Sequence, residues 1–189
     1  MNKISLISLF SLLISSSLLA DVNRIPLPNN STFPISQAVE VTSGSLVFLS
    51  GVTPAAANSQ AAAGTPAYYG NTQTQTVSVL QRLQANLEAM GMGMGDIIKL
   101  TVFLVGDPAN NGQMDFSGFM AGYTQFFGTA EQPNLPARSA FQIAALTQPL
   151  MFVEIEAIAV RDGAGRPMDT GPRQSRLRES NNLLDFLGF

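Results

Sequence analysis

The 189-residue chain contains no cysteine and no histidine, and only 12% of its residues are charged. Without cysteine there are no disulfides, no thiol nucleophile and no thiolate metal site. Without histidine the commonest general base and the commonest metal ligand are missing, which excludes Ser-His-Asp triads and most zinc sites. Basic residues are few, at 10 against 13 acidic, a net charge of −3. That balance provides no electrostatic footprint for nucleic acid. Any chemistry performed here rests on a few carboxylates, guanidinium groups and the main chain.

What is present begins with "MNKISLISLFSLLISSSLLA", a lysine followed by an apolar, serine-interrupted run that closes on Ala20. The pattern is that of a secretory signal peptide. It is short for a spanning helix, which needs roughly 20 apolar residues. With no cysteine after it, a lipid-modified cysteine anchor is excluded. The expected organisation is a signal peptide over 1–20, one domain over 21–161, and a linker with a short amphipathic tail over 162–189. The destination is the periplasm or the exterior, with no stable membrane insertion after cleavage.

The segment "DVNRIPLPNNSTFP" carries three prolines and reads as an extended arm or loop. In "SQAVEVTSGSLVFLSG" the alternating apolar residues and the Ser43-Gly44 turn predict a β-hairpin. A long loop rich in alanine, glycine and proline follows. Val77, Leu80, Leu83, Leu87 and Met90 then step by three or four, so a helix is expected there. "GDIIKLTVFLVGD" reads as a strand. Phe116, Phe119, Met120, Tyr123, Phe126 and Phe127 recur at helical spacing, and "ARSAFQIAAL" and "LMFVEIEAIAV" read as two closing strands. The order is β-β-α-β-α-β-β, an α+β mixed sheet covered by two helices on one face.

Between the export segment and Val160 the basic residues are Arg24, Arg82, Lys99 and Arg138. Arg138 falls within a strand, with the small residues Ala140 and Ala144 on its own face. Glu154, on the next strand in sequence, is its nearest expected partner. A strand-stitching Arg–Glu pair accounts for this placement. So does a guanidinium open to a pocket, where its planar fork would bind a carboxylate.

Several blocks in order extend the reading. "FPISQAV" is similar to Gly-Pro-Tyr-Ser-Gln-Ala-Val, "LVFLSGVTP" to a strand ending in Ser-Gly, and "MGMGMGDIIKLTVFL" to a helix end and following strand. "NLPARSAFQIAAL" followed by "VEIEAIAVR" completes the set. Over most of Phe33 to Arg161 the chain resembles the Rid family, the YjgF-like reactive-intermediate deaminases. The resemblance implies a homotrimer of chorismate-mutase-like subunits with a ligand cleft at each interface, needing no metal or cofactor. It implies that Arg138 holds the carboxylate of a 2-imino acid and that Glu154 positions the attacking water. Ser50, Gly51 and the main chain at Ala140 would line the cleft. Ile35 stands where the pattern has tyrosine, Val52 where it has glutamine, and Met120 where asparagine is frequent, so the cleft is expected to be more apolar. The implied activity is deamination of small 2-imino or enamine acids to 2-oxo acids and ammonia. The alternative is a protein that binds a small carboxylate without turnover. Nuclease activity is disfavoured by the acidic balance.

Overall fold

The computed structural model describes residues 20–162; the expected signal peptide and the tail lie outside them, apart from Ala20 and Asp162. Six strands and three helices form the domain: β1 Val22–Pro26, β2 Ser36–Val41, β3 Ser45–Val52, α1 Pro66–Tyr69, α2 Thr72–Ala89, β4 Ile97–Val105, α3 Phe116–Tyr123, β5 Ala137–Ile143 and β6 Val153–Arg161. One sheet runs β1-β2-β5-β4-β6-β3. β4 and β5 are parallel, whereas β6 is antiparallel to both β4 and β3. The mixed sheet with α2 and α3 on one face is the architecture the periodicities imply.

α2 starts where Asn71 caps it, the side chain accepting from the Thr74 amide at 2.9 Å. Its buried stripe is Thr72, Thr76, Val79, Leu80, Leu83 and Leu87. Val79 replaces the expected Val77, which is half-buried, and Met90 at the C-terminal end is exposed. Gln75 is fully buried, a side chain the apolar stripe gives no hint of. Its amide donates to the Gly70 and Leu150 carbonyls, and its oxygen accepts from the Phe152 amide. That full set of bonds keeps a buried polar group inexpensive. α3 crosses α2 at Gly122, where a Cβ would lie 2.7 Å from Thr76 Cβ.

The core lies between these helices and one face of the sheet. Leu100, Val102 and Leu104 from β4 and Val153, Ile155, Ala157 and Ala159 from β6 meet Phe119, Tyr123 and Phe127. The opposite face carries Lys99, Thr101 and Phe103 of β4, Ser139 and Phe141 of β5, Glu154, Glu156 and Ile158 of β6, and Leu46 and Phe48 of β3. No helix covers it. Leu46, Phe48 and Phe141 are 51%, 71% and 42% exposed.

Two pairings differ from expectation. β2 and β3 do not form a hairpin, because three strands separate them in the sheet. β2 pairs instead with β1, a strand within the expected arm, and touches β5 through Ser36 and Ala137. Arg24 holds this two-stranded arm in place. Its guanidinium donates to the carbonyls of Ile97 (3.1 Å), Leu135 (2.8 Å) and Gly95 (2.8 Å). Likewise β5 and β6, consecutive in the chain, are separated by β4. A turn signal reports where the chain reverses, but strand choice is set by burial against distant elements.

Candidate functional site

Residues directly opposite in a ladder share a face, and successive residues alternate. Arg138 is opposite Leu100, which is opposite Ala157, so Arg138 points to the helix-covered face. Ala140, opposite Val102, lies on that face one step along. Glu154 is opposite Phe103 and points to the uncovered face. The expected Arg138–Glu154 pairing across adjacent strands therefore does not occur. β4 intervenes, and the two side chains leave the sheet in opposite directions.

The space in front of the guanidinium, expected to be open, is filled by rings. Arg138 Cζ is 4.3 Å from the Tyr123 ring centroid, 5.0 Å from Phe119, 5.3 Å from Phe33 and 5.9 Å from Phe116. Nη1 lies 3.3 Å from Met120 Sδ, a weak acceptor. Among the described residues no carboxylate pairs with it. Burial lowers the Arg138 pKa, an effect that the neighbouring Tyr123 hydroxyl partly offsets. The Tyr123 hydroxyl donates to the Pro34 carbonyl at 2.9 Å, and burial pushes its pKa well above the usual phenol value. The cation is thus held by ring quadrupoles, together with the Tyr123 hydroxyl and Met120 Sδ.

On the uncovered face a second group assembles. Gly51 leaves room for the Glu154 carboxylate, since a Cβ there would sit 1.9 Å from Oε1. Ser50 lines a depression of about 310 Å³ together with Phe48, Lys99, Thr101, Glu156 and Ile158. Lys99 Nζ donates to Ser139 Oγ at 2.9 Å. Met120 and Ala140 thus accompany Arg138, while Ser50 and Gly51 accompany Glu154. Ile35 is near the first group through its neighbour, its amide donating to the Phe33 carbonyl at 2.8 Å. Val52 is buried in the core instead.

The sequence reading did not assign the aromatic enclosure to the site. Phe116, Phe119 and Tyr123 form a helical stripe, and such a stripe reads as core. The signal was the one charged residue on the facing strand.

A mixed sheet, two helices on one face and a half-buried strand guanidinium with no carboxylate partner among the described residues define a chorismate-mutase-like α+β subunit of the YjgF type. The family model described as Endoribonuclease L-PSP matches residues 29–161, and the chain belongs to this family, the Rid or YjgF-like proteins. It is 35% identical over 128 residues to the 2-iminobutanoate/2-iminopropanoate deaminase of Salmonella typhimurium, covering 68% of this chain and 88% of that one. The crystal structure of the Rid family protein YyfB from Yersinia pestis superposes with a TM-score of 0.54 at 27% identity, over 73% of this chain and 98% of that one. E. coli TdcF with bound serine gives 0.50 at 34% identity, over 70% and 91%.

Proposed function

We propose that this protein hydrolyses 2-imino or enamine acids to 2-oxo acids and ammonia, after export to the periplasm or beyond. The carrying observation is Arg138, a desolvated guanidinium with aromatic walls and no carboxylate partner among the described residues. A substrate carboxylate would supply the missing charge through two parallel N–H···O bonds. The Salmonella relative, a named imine deaminase, and the TdcF structure, which holds an amino acid, support a carboxylate-bearing substrate.

With the carboxylate fixed, C2 of the imine presents its electrophilic face to a water held by Glu154. The water oxygen bonds to C2, one of its protons passes by way of the carboxylate to nitrogen, and a carbinolamine results. Collapse to C=O expels ammonia. Imines hydrolyse unaided, so positioning and one carboxylate are sufficient catalysis.

Arg138 and Glu154 leave opposite faces of one sheet, so in this reading the site is shared between subunits of a homotrimer. The uncovered face, with Phe48 71% exposed, supplies the surface such an assembly would bury. The apolar Ile35 and Met120 favour the second reading, a small-carboxylate binder without turnover.

One assay separates the two. 2-Iminopropanoate is generated by an amino-acid oxidase and trapped with semicarbazide in competition with the purified protein. The parent is expected to lower the trapped imine. Arg138→Ala is expected to lose roughly 10- to 100-fold, the worth of a charge-assisted contact of ~1.5–3 kcal/mol. If the parent leaves the trapped imine unchanged, the deaminase reading fails.

A further inference from the structure

The segment from Phe33 to Ile35 stands between Arg138 and a hollow that the reaction above does not use. Phe33 occupies the position of a glycine in the pattern Gly-Pro-Tyr-Ser-Gln-Ala-Val, and its ring lies 5.3 Å from the guanidinium. Phe33 as a whole is nonetheless 40% exposed. Local bonds hold it there: the Phe33 amide donates to Ser31 Oγ at 3.3 Å, and its carbonyl accepts from Ile35. Tyr123, whose ring is the nearest to Arg138, donates to the carbonyl of the next residue, Pro34. The loop and the clamp are therefore built as one unit.

The other side of Phe33 borders a hollow of about 280 Å³, walled by Pro26, Leu27, Ile35, Pro133 and Leu135. The cation in its wall, Arg24, is engaged by three carbonyls, and Ser36 Oγ donates to the Leu135 carbonyl at 2.7 Å. The hollow is thus an open depression of mixed character, apolar where Pro26, Leu27, Ile35, Pro133 and Leu135 wall it and polar at Ser31, Thr32 and Ser36. A carboxylate seated on Arg138 places the group attached to C2 within reach of the Phe33 ring. A methyl group would leave the ring and the hollow in water; a phenyl or isobutyl group would cover both.

We infer that the preferred substrate is a 2-imino acid with a bulky apolar side chain, aromatic above aliphatic, and that Phe33 selects it. This rests on the deaminase reading for turnover, but the selectivity can be measured without it. In the trapping assay, 2-imino-3-phenylpropanoate is expected to give a kcat/KM at least about tenfold above 2-iminopropanoate. Phe33→Gly should collapse that ratio towards one. Phe33→Leu, which keeps apolar bulk, should give an intermediate ratio. A parent ratio at or below one, or a ratio unchanged in both variants, overturns the inference. If neither imine is consumed, the deaminase reading falls, and calorimetric binding of phenylpyruvate against pyruvate decides the rest. Tighter phenylpyruvate binding that depends on Phe33 upholds the selectivity, and equal binding removes it too.

Discussion

Arg138 and Glu154 point away from opposite faces of the same sheet, three residues apart in register and with β4 between their strands. That is about 10 Å along the strands and about 10 Å across them, before the side chains diverge. One subunit cannot bring both to one substrate. A shared site therefore predicts complementation. Arg138→Ala subunits keep Glu154, and Glu154→Gln subunits keep Arg138. After unfolding and co-refolding at equal ratio, about one quarter of the interface sites should hold both groups. Deaminase activity near a quarter of the parent value is expected, against at least about tenfold losses for each variant alone. No recovery on mixing would place the site within one subunit.

The uncovered sheet face predicts its own lesion. Phe48 is 71% exposed, and Phe141, in edge contact with Phe103 at 5.2 Å, is 42% exposed. Burying a phenylalanine contributes roughly 1.5–3 kcal/mol, whereas a buried unpaired lysine opposes association. If the proposed trimer forms through this face, Phe48→Lys should shift the mass in sedimentation from trimer to monomer while leaving the far-ultraviolet circular dichroism intact. An unchanged mass would remove this face from the interface.

Gly51 bears on Glu154 alone. Alanine there would place a Cβ 1.9 Å from Oε1 and 2.8 Å from Cδ, so the flexible carboxylate end must move. Gly51→Ala is expected to lower kcat at least about tenfold, as is Glu154→Gln, with a Tm within a few degrees of the parent. Retained activity would show that Glu154 need not occupy this position.

Tyr123 sets the alkaline limit. Its pKa is raised in the fold by burial above the ordinary phenol value of about 10, so the unfolded chain loses this proton first. The folded state then binds more protons than the unfolded state, and stability falls as pH rises from about 10 upwards. In a tyrosinate absorbance titration, Tyr123 should ionise only with unfolding. Tyr123→Phe should abolish that late step and cost about 1 kcal/mol at neutral pH through the lost bond to Pro34. A Tyr123 that titrates before unfolding would contradict the buried geometry.

Much of the fold was legible because it follows from local period. The alternation in "ARSAFQIAAL" assigns Arg138 and Ala140 to one face, and the structure agrees. The alternation in "VEIEAIAV" assigns Glu154 and Glu156 to the face opposite Val153, Ile155 and Ala157, and there too it agrees. What was not legible is how those faces combine. β5 and β6 are neighbours in the chain, so their charges read as partners, yet β4 inserts between them through a parallel crossover. β2 and β3 are joined by a turn and end up on different neighbours for the same reason.

The sequence by itself determined the alphabet of the candidate site: no thiol, no imidazole, the Arg138 guanidinium and the Glu154 carboxylate that follows it. It also determined which residues of each element face together, because backbone geometry repeats every two residues in a strand and about 3.6 in a helix. Only the tertiary structure decided that the guanidinium lies among four rings and that its carboxylate is across the sheet. Those relations depend on which distant segments bury each other, and apolar burial is non-directional, so no local pattern specifies its partners.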